Sequence, residues 1–90
     1  MSIQINISQF LQHLTNDVKV VNVNGKTVGD CLNDLVGQFP QLETLLFDKE
    51  GELLKLLNVY VNGESAYPEE LAKSVNDGDK LDIMYTIVGG

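Results

Sequence analysis

One stretch restricts the fold more than any other. Between Val28 and Phe39 the apolar residues Val28, Cys31, Leu32, Leu35, Val36 and Phe39 fall at i, i+3, i+4, i+7, i+8 and i+11. That spacing gathers them on one side of an α-helix and leaves the other side polar. Thr27 stands at the N-cap position, with Asp30 three residues on as in a capping box. Pro40 ends the run, since proline cannot continue a helix interior. A helix with one apolar stripe has to lay it against another apolar surface, and the flanking sequence supplies strands.

Residues 2–7, Ser-Ile-Gln-Ile-Asn-Ile, alternate apolar and polar, the period of a half-buried strand with Ile3, Ile5 and Ile7 inward. Residues 8–17 are mostly polar and read as a long hairpin loop with room for a helical turn at Phe10, Leu11 and Leu14. Residues 18–24 are β-branched and form a second strand, closed by the turn pair Asn24-Gly25. Residues 41–47 suggest a short helical turn, and Asp48 to Gly51 an exposed turn. Leu53 to Asn62 hold a third strand, strongest at 57–62, which turns at Asn62-Gly63. Residues 64–67 can add a short edge strand, and Pro68 suits the first turn of a brief helical segment through Ala72. Asn76-Asp77-Gly78-Asp79 is a dense turn signal. The last strand runs from Leu81 to Ile87 and feeds Val88, Gly89 and Gly90. This is an α+β pattern, one sheet covered on one face by one main helix. The final strand is expected in the middle of the sheet, beside the first.

Charge and rare residues narrow the chemistry. Thirteen acidic residues against six basic give a net charge of −7. Binding to nucleic acid draws on positive charge to release counterions, so nucleic acid is an unsuited partner, as is an anionic membrane surface. An acidic surface favours approach to a basic partner. Cys31 is the only cysteine and His13 the only histidine, so neither an internal disulfide nor a zinc site of the usual kind can be assembled. Cys31 lies in the helix stripe and reads as core. No apolar run is long enough for a membrane span, and no basic-then-apolar leader is visible, so the cytoplasm is the expected location. The carboxylates Asp48, Glu50, Glu52, Glu69, Glu70, Asp77 and Asp79 sit in turns and read as solvated faces. Asp77-Gly78-Asp79 lacks the further spaced ligands of a calcium loop. No catalytic set and no cofactor bound by the chain itself are expected.

That leaves the tail. Glycine has no Cβ, so Gly89-Gly90 is narrow enough to carry a carboxylate into another protein's slot. Gly-Gly is also a common chance ending, and other segments add the weight. Asn58-Val59-Tyr60-Val61-Asn62-Gly63-Glu64, Asn76-Asp77-Gly78-Asp79-Lys80-Leu81 and Ile87-Val88-Gly89-Gly90 occur in this order. Together with the strand–helix order, they resemble the MoaD/ThiS group of ubiquitin-like sulfur carriers nearly end to end. The resemblance implies the β-grasp fold, a mixed four- to five-stranded sheet with one main helix on one face. It implies a single domain over 1–90 with a tail at 88–90. It also implies a co-substrate rather than an enzyme. An E1-like adenylating enzyme using ATP and Mg²⁺ would activate the Gly90 carboxylate, and a sulfur donor would convert it to a thiocarboxylate. A sulfur-accepting synthase would then consume that group in molybdopterin, cysteine, thiamin or tRNA-thiolation chemistry. The length of 41–56 is more like the molybdopterin-type or cysteine-synthesis carriers, and Thr86-Ile87-Val88 departs from the Pro/Ala-rich approach of many relatives.

Two other readings share this fold: a ubiquitin-like modifier joined through Gly90 to lysines, and a β-grasp interaction domain without covalent chemistry. Strand parity places Leu57, Val59, Val61, Leu81, Ile83 and Tyr85 toward the helix. Asn58, Tyr60, Asn62, Asp82, Met84 and Thr86 then face outward. Tyr60, Met84 and Thr86 are the expected contacts for the activating enzyme, with the tail residues Val88, Gly89 and Gly90 beyond them.

Overall fold

A computed structural model describes residues 2–85. Thr86, Ile87, Val88, Gly89 and Gly90, which the sequence reading assigns to the end of the last strand and the tail, lie outside the described residues. Five strands form one sheet: β1 (Ser2–Asn6), β2 (Val20–Asn24), β3 (Leu57–Val61), β4 (Glu64–Ser65) and β5 (Lys80–Tyr85). Helix α1 (Val28–Gln38) crosses between β2 and β3, followed by a 3-10 turn at Pro40–Leu42 and the one-turn helix α2 (Glu43–Leu46). The strand order is β2-β1-β5-β3-β4. Only β1 and β5 pair in parallel; the other neighbours are antiparallel. The last strand is therefore central and lies beside the first, as expected. This five-strand mixed sheet with its one main helix is the β-grasp fold.

The core forms where the two periodicities meet. Ile3, Ile5, Val21, Val23, Val59, Leu81 and Ile83 leave the sheet on one face, and Val28, Cys31, Leu32 and Leu35 meet them from α1. Val36 and Phe39, the C-terminal part of the predicted stripe, are only partly buried at its margin. Leu42 and Leu46 close the end of the core beyond α1. At the start of α1 the Thr27 hydroxyl accepts from the Asp30 N–H at 3.1 Å. The return half of the capping box is displaced: the Asp30 carboxylate takes the Lys26 N–H, at 3.3 Å, rather than that of Thr27.

The turns hold the centre in register. Asn62 (φ 52°) and Gly63 (φ 86°) are both left-handed, the backbone of a two-residue hairpin turn. The Asn62 amide then ties β3 to β5. Its Nδ2 donates to Asp79 Oδ1 at 2.9 Å, and its Oδ1 accepts the Lys80 N–H at 3.0 Å. The turn before β5 also grips β1, with Gln4 N donating to Asp79 O and Gly78 N to Ser2 O.

The helical turn allowed for in the 8–17 connection is a 3-10 helix over Gln9–Leu14. Three local expectations are corrected. The third ladder covers Leu57–Val61 only; Leu53 forms an isolated bridge with Phe47 across the 48–51 turn. Pro68 stands ahead of the helical turn, which spans Glu70–Ala72 and follows a cis Tyr67–Pro68 peptide. Gly25 does not take the left-handed conformation that an Asn-Gly turn suggests. It is needed for space: a Cβ there would fall 2.7 Å from Asp30 Cβ and 2.8 Å from Cys31 N.

Two glycine substitutions should therefore move stability in opposite directions. Gly25→Ala forces α1 away from the end of β2 and should cost about 1–3 kcal/mol. A Cβ on Gly37, inside α1, meets nothing within 4 Å, so Gly37→Ala should gain up to about 1 kcal/mol through helix propensity. Urea unfolding of the two variants beside the wild type checks both signs.

Candidate functional site

The chain end is approached along β5, so the geometry of that strand defines the candidate site. β5 has a partner on each side: Asn6 pairs with Asp82 in β1, and Tyr60 with Asp82 in β3. Alternation is as expected. Leu81 and Ile83 are buried under α1, while Asp82 and Met84 face away. Leu57 sits opposite Tyr85 and Asn58 opposite Met84. Tyr60 and Met84 therefore share the outer face as diagonal neighbours on adjacent strands, a spacing of about 7–8 Å that long side chains span. Met84 is 54% exposed and Tyr60 is half-buried. Between them Asp82 accepts from Asn6 Nδ2 at 2.8 Å, so a polar pair borders this small apolar patch. The structure thus brings Tyr60 and Met84 together. Thr86, Val88, Gly89 and Gly90 lie outside the described residues.

Tyr85, the last described residue, points to the helix side. Its hydroxyl donates to the Leu45 carbonyl at 2.9 Å, and burial raises its pKa above the ordinary value. This bond anchors the end of β5 to α2. Beside it, Phe10, Leu11, His13, Leu45 and Tyr85 line an open cleft of about 450 Å³. The sequence reading placed no site there. The signal was slight: two adjacent apolar residues, Phe10-Leu11, of which only Leu11 is needed by the core.

Most of the turn carboxylates are exposed, as expected, and three of them also hold backbone amides. Asp48 Oδ1 accepts the N–H groups of Glu50 and Glu52, closing its own turn. Asp77 Oδ1 accepts the Ser2 N–H at 2.6 Å. Asp79 accepts the Asn76 N–H and the Asn62 amide, which hold its pKa below the usual carboxylate range. The Asp48 bond to Glu50 is of the Asx-turn type that short acidic side chains favour; Asp77 and Asp79 instead tie their turn to Ser2 and Asn62, distant in sequence. Among the described residues no group of three or more His, Cys, Asp or Glu side chains is placed to hold a metal ion. Cys31 is fully buried. Burial, reinforced by Asp30, Asp34 and Asp79, pushes its thiol up to about 11, so the nucleophilic thiolate is suppressed.

The Cys31 shift has a definite pH sign. The unfolded chain ionises its thiol near the ordinary value of 9.0, and the folded chain only near 11. The unfolded state therefore holds fewer protons above pH 9, and folding stability should fall as pH rises from about 9 to about 11. Tyr85, also raised, adds to the loss at the alkaline end. Denaturant unfolding across this range should show a shallower decline in Cys31→Ala than in wild type, and native Cys31 should resist alkylation at neutral pH.

Known proteins resemble this chain over its whole length. The ThiS family matches residues 5–90. The sulfur carrier protein CysO of Mycobacterium tuberculosis is 30% identical over 93 residues, covering 100% of both chains. Small archaeal modifier protein 1 of Haloferax volcanii is 42% identical over 71 residues, 78% of each. Among solved structures, a chain of the Amycolatopsis orientalis BexX/CysO complex superposes with a TM-score of 0.87 at 30% identity, covering 98% of this chain and 99% of that one. By fold, by end-to-end sequence match and by the order of its turn motifs, the chain belongs to the ThiS family of ubiquitin-like proteins.

Proposed function

We propose that this protein is a sulfur carrier whose reactive group is the Gly90 carboxylate. The observation that carries this reading is the full-length match to a protein named as a sulfur carrier, 30% identical with both chains covered end to end. The geometry supports it. β5 is held by strands on both sides and by the Tyr85–Leu45 bond, so a rigid mount precedes Thr86. Asp48, Asp77 and Asp79 bond backbone amides, and the one thiol is buried.

The chemistry follows from the poor reactivity of a carboxylate. Its charge repels nucleophiles, and its oxygen is a poor leaving group. A partner enzyme holding ATP and Mg²⁺ would let the carboxylate oxygen attack the α-phosphorus, releasing pyrophosphate and leaving an acyl-adenylate. Hydrosulfide released by a sulfur donor then attacks the carbonyl carbon and expels AMP, giving a thiocarboxylate. Splitting one hard step into two easier ones is the logic of covalent catalysis. The carrier supplies no catalytic residue; the activating enzyme and a sulfur-accepting synthase do. Acceptors of the molybdopterin, cysteine, thiamin and thiolated-tRNA classes all suit this chemistry. Tyr60, Met84 and Thr86 are the proposed contacts for the activating enzyme, since aromatic residues and Met are enriched in interface cores.

A second reading has its own support. The modifier protein of Haloferax volcanii is 42% identical over 71 residues. A modifier would use the same adenylate but deliver Gly90 to a lysine amine instead of to sulfur.

Intact mass of the protein isolated gently from its native host separates the two. The carrier reading expects a fraction heavier by the replacement of one oxygen with sulfur, absent when Gly90 is deleted. Gly-Gly remnants on lysines of other proteins, with no sulfur-bearing form, would favour the modifier instead. Met84→Asp, which places charge on the outer patch without touching the core, should lower the sulfur-bearing fraction about tenfold or more.

A further inference from the structure

The distribution of exposed apolar side chains is one-sided along the strands. β1 and β5 run parallel, β2 and β3 oppose them, so the C-terminal end of β5 lies with the β1–β2 connection and the start of β3. Among the described residues the exposed large apolar side chains are Phe10, Val18, Val20, Leu56, Tyr67 and Met84. All six belong to that end. Phe10 and Val18 are in the β1–β2 connection, and Val20 is the first residue of β2, opposite Asn6. Leu56 precedes Leu57, the partner of Tyr85, and Tyr67 follows β4 on the side of Asn58. The other end carries Asn24, Asn62, Glu64, Asp77, Asp79 and Lys80. Scattered surface apolar residues are ordinary, but their confinement to the end from which the tail departs is not.

We propose that the enzyme acting on Gly90 grips the exit of β5 from both faces of the sheet, seating an apolar side chain in the cleft lined by Phe10, Leu11, His13, Leu45 and Tyr85. This rests on the reading of Gly90 as the reactive group and adds to it a second docking point, on the face opposite Met84. Tyr85 and Met84 are consecutive, so parity sends one to the cleft and the other to the outer patch; a partner closing on the strand end meets both. The cleft suits such an anchor. Its volume, about 450 Å³, accommodates one or two side chains. The Tyr85 hydroxyl is spent on the Leu45 carbonyl, which leaves its ring as wall, and Phe10, 67% exposed, forms the lip.

Reach fixes the occupant. Five residues separate Tyr85 from the end of Gly90. At about 3.3–3.6 Å per residue they span at most about 17–18 Å. An enzyme that encloses the Gly90 carboxylate in its own active site must bring its surface within that distance of Tyr85. It therefore covers the rim around the strand end. An anchor buried in a desolvated pocket within that covered surface is where binding energy concentrates.

The test uses the full chain. Phe10→Asp, Phe10→Leu, His13→Glu, Met84→Asp and the distant control Glu64→Gln are purified and added to native-host extract with ATP, Mg²⁺ and cysteine as sulfur source. Conversion of Gly90 is followed by intact mass. Phe10→Asp and His13→Glu should convert about tenfold more slowly than wild type, Phe10→Leu close to the wild-type rate, and Glu64→Gln unchanged. Thermal melts confirm that each variant is folded; both lip residues are exposed, and His13→Glu stands in if Phe10→Asp unfolds. Wild-type conversion with folded Phe10→Asp and His13→Glu equally fast would overturn the cleft as a docking point and leave the Gly90 reading intact. The same rates alongside dimerisation that Phe10→Asp abolishes would assign the cleft to a second copy of this chain, which also overturns it. A wild type that is never converted, under conditions where the host forms its own thiocarboxylates, would remove the Gly90 reading and the docking with it.

Discussion

The pairing of the last strand between the first and the third is the constraint on which the structure depends. Without β5 the hairpin β1–β2 and the ribbon β3–β4 share no hydrogen bonds. Its inward residues Leu81 and Ile83 are almost wholly buried, so the core is also open until it docks. The turn at 76–79 prepares this strand for both neighbours at once. Asp79 O and Gly78 N bond to β1, and Asp79 Oδ1 and Lys80 bond to Asn62 at the end of β3. A one-residue slip would turn Leu81 and Ile83 to water, and these bonds oppose it from both sides.

That central position gives the chain end a mount unlike an ordinary terminus. Unanchored ends are generally the least ordered parts of a domain. Here ladder pairing continues to Tyr85, whose hydroxyl adds a bond to α2. Any group carried a few residues later is thus presented from a fixed point, on a short radius. The acidic charge works at the other end of the strands, where Asp77 and Asp79 order the turn that launches β5. The two ends of the sheet differ: one carries the polar turns that set register, the other the exposed large apolar side chains of the described residues.

The periodic elements were legible because their patterns report burial directly. The β1 alternation, the α1 stripe and the parity of β3 and β5 all appear in the structure as read. Elements without a period were harder. The 3-10 helix at 9–14 mixes three apolar with three polar residues, and its one buried residue, Leu11, gives no repeat to detect. Gly25 was misread because a glycine after asparagine suits both a turn and a close approach, and only the packing of α1 tells them apart. Most of the turn carboxylates are exposed, as read, but a sequence shows acidity and not which amide lies within reach of Asp48, Asp77 and Asp79. Of the candidate site, Tyr60 and Met84 followed from strand parity. The cleft did not, because Phe10, His13, Leu45 and Tyr85 come from three separate segments that only the tertiary fold brings together.

The parallel arrangement of β1 and β5 also determines how the molecule responds to force. The N-terminus leaves from one end of β1 and the C-terminus from the opposite end of β5. Tension between the two termini therefore acts along both strands, and their cross-strand bonds share the load in shear instead of opening one at a time. β3 flanks β5 on the other side and bears part of the same load. A machine that unfolds this protein by pulling on its tail must slide the central strand past two neighbours before anything else yields. The C-terminal end of β5 is in that sense the hardest place from which to unravel the chain.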